Sequence, residues 1–321
     1  MKTITKYIIA LLLISLIKTE SIKAQQLPLH TQYRTNPFMV NPAIPIVPRI
    51  INDVRGEFDV LAYKHAVGAS YRDQWWGLGP ERPRTLSAFY QYYGSSPDRG
   101  IRNWDFWLGG YFLKDKIGAT SNTGGYLTAA IHKDFGINQH LHVGISLGYL
   151  QYQFNAQDLY FGSDGNPNDP AIADNTLNLI DPGFGIYYSN DYVFVGFSMP
   201  KIVSNTADGR RENIHHIYSV MGTTIKDWWM FSQVETSIWF RWVRYNNPHI
   251  DLGFKGQFDT SLPVWMGLYV DNTFAARADF GVIAPLSETI DFQLAVSYTN
   301  RVSFFNELGG VFEASNSLLI K

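Results

Sequence analysis

Apolar and polar residues alternate with a period of two over most of this chain, in runs broken by Gly, Pro, Asn and Asp. Such alternation marks a strand whose two faces meet different surroundings. The clearest run is 290–298, where Ile290, Phe292, Leu294, Val296 and Tyr298 oppose Asp291, Gln293, Ala295 and Ser297. Ala276, Ala278, Phe280 and Val282 likewise oppose Arg277, Asp279 and Gly281. Val234, Thr236, Ile238, Phe240 and Trp242 oppose Glu235, Ser237, Trp239 and Arg241. Leu141, Val143, Ile145, Leu147 and Tyr149 oppose His142, Gly144, Ser146 and Gly148. At Leu150 the phase flips, leaving Tyr152 and Phe154 apolar and Gln151 and Gln153 polar, which predicts a β-bulge.

About fourteen segments of this kind occur, near 60–72, 85–94, 104–114, 122–134, 140–154, 182–189, 192–202, 214–225, 228–244, 249–258, 263–271, 275–285, 289–299 and 306–319. A sheet with one apolar face fits a soluble sandwich, or a membrane barrel whose apolar face meets lipid. Three features favour the barrel. The segments run about ten residues, the length a tilted strand needs to cross hydrocarbon. The polar set is rich in Gly, Ser and Gln and carries Arg241, Lys255, Arg277 and Asp279, which predicts a polar interior. Rings gather near segment ends (Tyr187-Tyr188, Tyr192, Trp228-Trp229, Trp242 with Tyr245, and Trp265), as expected of interfacial belts. Short connections are expected at Ser189-Asn190-Asp191, Lys226-Asp227, Asn246-Asn247-Pro248 and Ser287-Glu288, and the longest at 155–181. Long loops of such barrels face outward, so 155–181 is expected outside the cell. The fold class is therefore all-β, an antiparallel transmembrane barrel of about 14 strands over 59–321.

The chain begins differently. Lys2 and Lys6 precede the apolar run 7–17, and Ile22-Lys23-Ala24 offers a small residue for cleavage, so 1–24 is expected to be a secretory signal removed near Ala24. Residues 25–58 hold Pro28, Pro37, Pro42, Pro45 and Pro48, a density that a sheet ladder does not tolerate. That segment is expected to be an irregular plug, or a periplasmic piece beneath the barrel.

Composition narrows the function. Without residues 1–24 the chain carries 22 basic and 27 acidic side chains, so no basic excess exists to neutralise nucleic acid. Charged residues make up only 17%, too few for long disordered tails, while aromatic residues reach 15%. With no cysteine, disulfides, thiolate metal sites and thiol nucleophiles are excluded.

Candidate chemistry is sparse. His215 and His216 are adjacent, and neighbours on a strand face opposite sides. Asp164, Asn166, Asn168 and Asp169 place oxygen donors as a calcium loop does, yet the required glycine is missing and Asn175 stands where the bidentate Glu belongs. Ser146 lies near His142 without an evident third partner. There is no glycine-rich phosphate loop and no Gly-x-Ser-x-Gly elbow. No catalytic residue, metal ligand or cofactor is assigned.

What remains is a set of local strings. Residues 36–43 (Asn36-Pro37-Phe38-Met39-Val40-Asn41-Pro42-Ala43) repeat an Asn-Pro pair five residues apart. Tyr71-Arg72-Asp73-Gln74-Trp75-Trp76 ends the first segment, and Asp115-Lys116-Ile117-Gly118 ends the third. Further on come Asp181-Pro182-Gly183-Phe184-Gly185-Ile186-Tyr187-Tyr188 and Val195-Gly196-Phe197-Ser198-Met199-Pro200. Together and in this order, these strings resemble the PorP/SprF family. The departure is Asn306-Glu307-Leu308, where the family's last strand opens on a His-Glu-Ile-like string.

The resemblance implies an outer-membrane barrel of the type IX secretion system of Bacteroidota. It implies partners: a secreted client or gliding adhesin held through its C-terminal domain, and periplasmic ring, motor or lipoprotein components. On that reading Asn36, Pro37, Phe38, Asn41, Pro42, Tyr71, Arg72, Gln74, Trp75, Asp115, Lys116, Asp164, Asn166, Asn168 and Asp169 are the candidate contact residues. Two other classes stay open. One is a channel for small solutes, lined by Gln151, Gln153, Arg241, Arg277 and Asp279. The other is a soluble β-rich binding protein whose rings stack on sugars.

Overall fold

The structure is a computed structural model that describes residues 36–45, 63–95, 104–135, 139–155, 175–202, 215–243, 247–301 and 309–321. The expected signal 1–24 lies outside these residues. Fourteen strands form one closed antiparallel barrel. They are β1 His65–Gln74, β2 Arg84–Ser95, β3 Trp104–Ile117, β4 Thr120–Asp134, β5 His140–Phe154, β6 Asn175–Ser189, β7 Val193–Lys201, β8 His216–Trp228, β9 Phe231–Val243, β10 His249–Phe258, β11 Val264–Asp271, β12 Ala275–Pro285, β13 Ile290–Arg301 and β14 Val311–Ile320. Each strand pairs with its neighbours in sequence. β1 and β14 close the ring in register from His65↔Ile320 to Gln74↔Val311. Closure leaves no open sheet edge, which is what backbone groups in hydrocarbon require.

The alternation sorts side chains as expected. Outward-facing Leu127, Ile145, Leu147, Leu252 and Leu268 are all more than half exposed. An apolar surface this extensive is a lipid contact face, since in water it would drive association. Leu127 pairs with Leu147, while the next rung, Thr128 with Ser146, is buried and faces inward. Trp104, Phe135, Tyr192, Trp228 and Trp229 point outward near one rim, and Lys133 Nζ lies 4.8 Å over the Trp104 ring. That is the interfacial belt, with a lysine stem laid along it. The outer ends of the first and last strands, His65 and Ile320, lie at this rim, along with the short 190–192, 229–230 and 286–289 connections. β5 and β7 end at the other rim, where β6 and β8 begin after the longer 155–174 and 202–215 connections.

Several expectations need correcting. No bulge occurs at Leu150: β5 pairs with β4 and β6 without a shift along its whole length. Leu150 points inward and is buried, and Gln151 and Gln153 point outward. The wall changes environment there instead. Above the lipid band the outer face turns polar and the inner face apolar, so the flip is in polarity and not in geometry. Gln151 and Gln153 accordingly do not line the lumen; Gln151 Nε2 donates to Asn178 on the next strand (3.3 Å). Of the expected belt rings, Trp265 faces inward and is buried, and Tyr187 packs against the interior. β8 runs through Lys226-Asp227, and the turn comes at Trp229 and Met230 instead. β6 begins at Asn175, not near 182, because Thr176-Leu177-Asn178-Leu179 alternates inside a stretch whose composition reads as loop.

Candidate functional site: the filled lumen

Residues 36–45 cross the inside of the barrel. A 3₁₀ turn at Pro37–Met39 starts the segment, with proline at its first position fixing φ, and Asn41 N–H donates back to Pro37 O (2.9 Å). Phe38 sits edge-on against Phe89 and Tyr111, with ring centroids 5.4 and 5.3 Å away. Met39 joins Tyr63, Ala66 and Leu319 on the β1, β2 and β14 side. Val40 packs on the opposite wall against Tyr218, Val220, Trp239 and Tyr269. Burying Phe38 alone is worth about 2–3 kcal/mol.

The second Asn-Pro pair is held by polar contacts. Asn41 Nδ2 donates to Ile186 O (3.2 Å) on β6 and to Phe197 O (3.3 Å) on β7. Its Oδ1 accepts from Ala43 N–H (2.9 Å), closing an Asx turn. Ser198 Oγ donates to Val40 O (2.7 Å), and Trp107 Nε1 donates to Pro42 O (3.3 Å). Glycines make the room. A Cβ on Gly144 would lie 2.5 Å from Pro42 C and O, and one on Gly185 would lie 2.0 Å from Asn41 Oδ1. Gly144 and Gly185 pair directly across β5 and β6. Three of the strings, at 36–43, 181–188 and 195–200, thus meet at one slot. Asn36 differs: it is buried, and its carboxamide has no hydrogen-bond partner among the described residues.

A second layer of buried charge lies toward the long-loop rim. Arg241 Nη2 contacts both oxygens of Asp251 (3.1 and 2.8 Å). Lys201 Nζ lies 3.0 Å from Asp181, which also accepts from Tyr126 OH (3.0 Å). Arg277 pairs with Asp279 (3.2 Å) and lies 4.0 Å over the Tyr269 ring. Arg72 Nε is 3.7 Å from Glu313, and Asp115 accepts from Thr85 Oγ1 (2.6 Å). Arg72 on β1, Arg241 on β9 and Arg277 on β12 are all buried on the inner wall, so cations from three separate strands share this layer. Four cations and five anions meet in this layer, and each is under a tenth exposed. Buried charge is tolerated only in such mutual pairing.

Near the short-turn rim, His132 Nε2 lies 3.1 Å from His140 Nδ1, and the His132 ring stacks on His142 at 4.5 Å. His142 packs in turn on Trp107 (5.2 Å). Among the described residues no group of three His, Asp or Glu side chains could hold a metal ion. Below β1, Tyr63 OH donates to Asp291; burial first, then that carboxylate, raises the phenol pKa and keeps it protonated.

The candidate contact residues divide by position. Asn36, Pro37, Phe38, Asn41 and Pro42 are buried in the lumen, as are Arg72, Gln74 and Asp115 on its wall. Tyr71 and Lys116 point outward and are exposed. Trp75 ends β1 in the left-handed region (φ 55°), its N–H donating to Gly310 O (2.9 Å). Asp164, Asn166, Asn168 and Asp169, with the rest of the candidate calcium loop, lie outside the described residues. Ser146 and His142 both face the lumen and are buried. Sequence reasoning missed the slot-forming glycines, Trp107 and the partners Asp181, Lys201, Asp251 and Glu313. The available signal was glycine on the inward phase of three consecutive strands, at Gly144, Gly185 and Gly196.

The fold has solved counterparts. The ΔS2S3 mutant of the TodX monoaromatic hydrocarbon channel aligns with a TM-score of 0.54 at 11% identity, covering 89% of this chain and 94% of that one. A Pseudomonas aeruginosa FadL homologue aligns with a TM-score of 0.50 at 12% identity, over 87% and 95% of the two chains. At these identities the likeness concerns the outer-membrane barrel fold alone. No curated protein matches the sequence. The family described as type IX secretion system membrane protein PorP/SprF matches residues 60–317, which takes in β1 to β13 and most of β14 and leaves the lumen segment 36–45 outside the matched range. This filled fourteen-strand barrel belongs to the PorP/SprF family of type IX secretion system membrane proteins.

Proposed function

We propose that this barrel is a non-enzymatic outer-membrane component of type IX secretion and gliding that anchors, or helps export, one secreted surface protein through its C-terminal domain. On this reading residues 1–24 are cleaved, the rim with short turns faces the periplasm and the long-loop rim faces outward. The periplasmic rim is then where ring, motor or lipoprotein components dock. The observation that carries the reading beyond family membership is the filled lumen. Segment 36–45 and the belt of paired charges occupy the interior, which leaves rims and loops as the working surfaces.

Small-solute transport is the second reading, and the resemblance to channel-type barrels extends only to the fold. Affinity purification of the tagged chain from native outer membranes in mild detergent, followed by mass spectrometry, separates the two. Recovery of a large secreted protein, or of secretion-system ring components, supports anchoring and names the partner. A barrel that emerges alone, under conditions that keep other secretion complexes intact, overturns it.

A further inference from the structure

The slot on the inner wall has the makings of a ligand site. Two main-chain carbonyls from adjacent strands, Ile186 O and Phe197 O, converge on a single carboxamide NH2. A hydroxyl from Ser198 and an indole N–H from Trp107 reach the two carbonyls that flank that residue, Val40 O and Pro42 O. Paired glycines recess the floor so that main chain fits where side chains would otherwise stand. Main-chain recognition with one side-chain pocket is how extended peptides are read. The occupant here is the chain's own Asn41-Pro42.

We propose that the β5–β7 slot is a peptide-recognition site for an Asn-Pro turn, filled in cis by residues 41–42, and that the Asn41 carboxamide is the latch that holds the lumen segment as a displaceable unit. The arrangement of the rest of the segment agrees with a latch. The side chains of Phe38, Met39 and Val40 contribute non-directional apolar contact, which fixes no register, whereas the Asn41 side chain bonds two strands at once. Asn36, the matching residue of the first pair, makes no such bond among the described residues. The proposal does not depend on whether the barrel carries a client.

The chain has no cysteine, so one introduced thiol is a unique reporter. Ala43 is fully buried and small, and Ala43→Cys changes little volume. In the full-length protein, folded in detergent micelles, this thiol should resist a bulky water-soluble maleimide. Adding Asn41→Leu, which at similar size removes the carboxamide's bonds to Ile186 O, Phe197 O and Ala43 N–H, should raise the labelling rate about 30-fold while the barrel keeps its SDS-resistant mobility. Gly185→Ala should act in the same direction by crowding the carboxamide. A synthetic peptide of residues 36–43, in excess, should speed labelling of the otherwise wild-type reporter, and the same peptide carrying Asn41→Ala should not. Unchanged labelling in Asn41→Leu overturns the latch. Loss of the folded barrel in both variants overturns displaceability, because the segment is then part of the core. A peptide without effect overturns the recognition site.

Discussion

Gly144 on β5 and Gly185 on β6 face each other across one rung of the wall, and Asn41 and Pro42 occupy the space their absent side chains leave. A methyl group at either position meets the segment at 2.5 Å or closer. Gly144→Ala, which meets main chain that cannot rotate away, should destabilise the folded protein by about 1–3 kcal/mol. A Cβ on Gly125, in β4, would have nothing within 4 Å, so Gly125→Ala is the control and should cost nothing. The temperature at which the SDS-resistant band is lost measures both. Equal behaviour of the two variants contradicts the slot.

Arg241 and Asp251 each retain only a few per cent exposure, so neither charge can fall back on water. Asp251→Ala strands the guanidinium and should cost about 3–5 kcal/mol. The double change Arg241→Met with Asp251→Leu removes both charges and should recover most of that loss. Urea unfolding in micelles, followed by tryptophan fluorescence, gives the comparison, and a double variant no better than the single one would show that the pair was not the cause.

Leu268 stands mid-strand on the outward face of β11, more than half exposed. Leu268→Arg should cost about 2–4 kcal/mol if that face meets the hydrocarbon midplane. In a soluble protein the same change would be neutral. Folding yield into lipid vesicles, read as the fraction of SDS-resistant protein, distinguishes these cases.

A lumen crossed by residues 36–45 and by a belt of paired charges should pass little current. Reconstituted into planar bilayers, the full chain is expected to stay closed at modest voltage. Steady conductance steps of an open pore would move the solute-channel reading ahead of anchoring.

Much of the wall was legible because lipid imposes a strict rule. Every second residue in a crossing strand must be apolar, and Ala276 to Val282 or Ile290 to Tyr298 display that rule without help from tertiary contacts. The rule fails where lipid ends. At Leu150 it produced a bulge that is absent, and at 175–181 it was hidden under Asn and Asp. Ring placement was half legible, since Trp265 and Trp228 carry the same chemistry but a one-residue phase decides which side each faces. The slot was hardest to see. Asn41 is 145 residues from Ile186 and 156 from Phe197, so no local pattern links them. Glycine at 144 and 185 also looks like any small lumen residue until its neighbour is known.

The seam of this barrel joins the first strand to the last over ten matched residues, His65 to Gln74 against Ile320 to Val311. The segment that crosses the lumen precedes both. A ring that seals only when β14 meets β1 makes the wall around residues 36–45 complete only once those two strands have paired. Closure therefore depends on β1 and β14 together, and a fault in β14 would leave residues 36–45 beside an open wall.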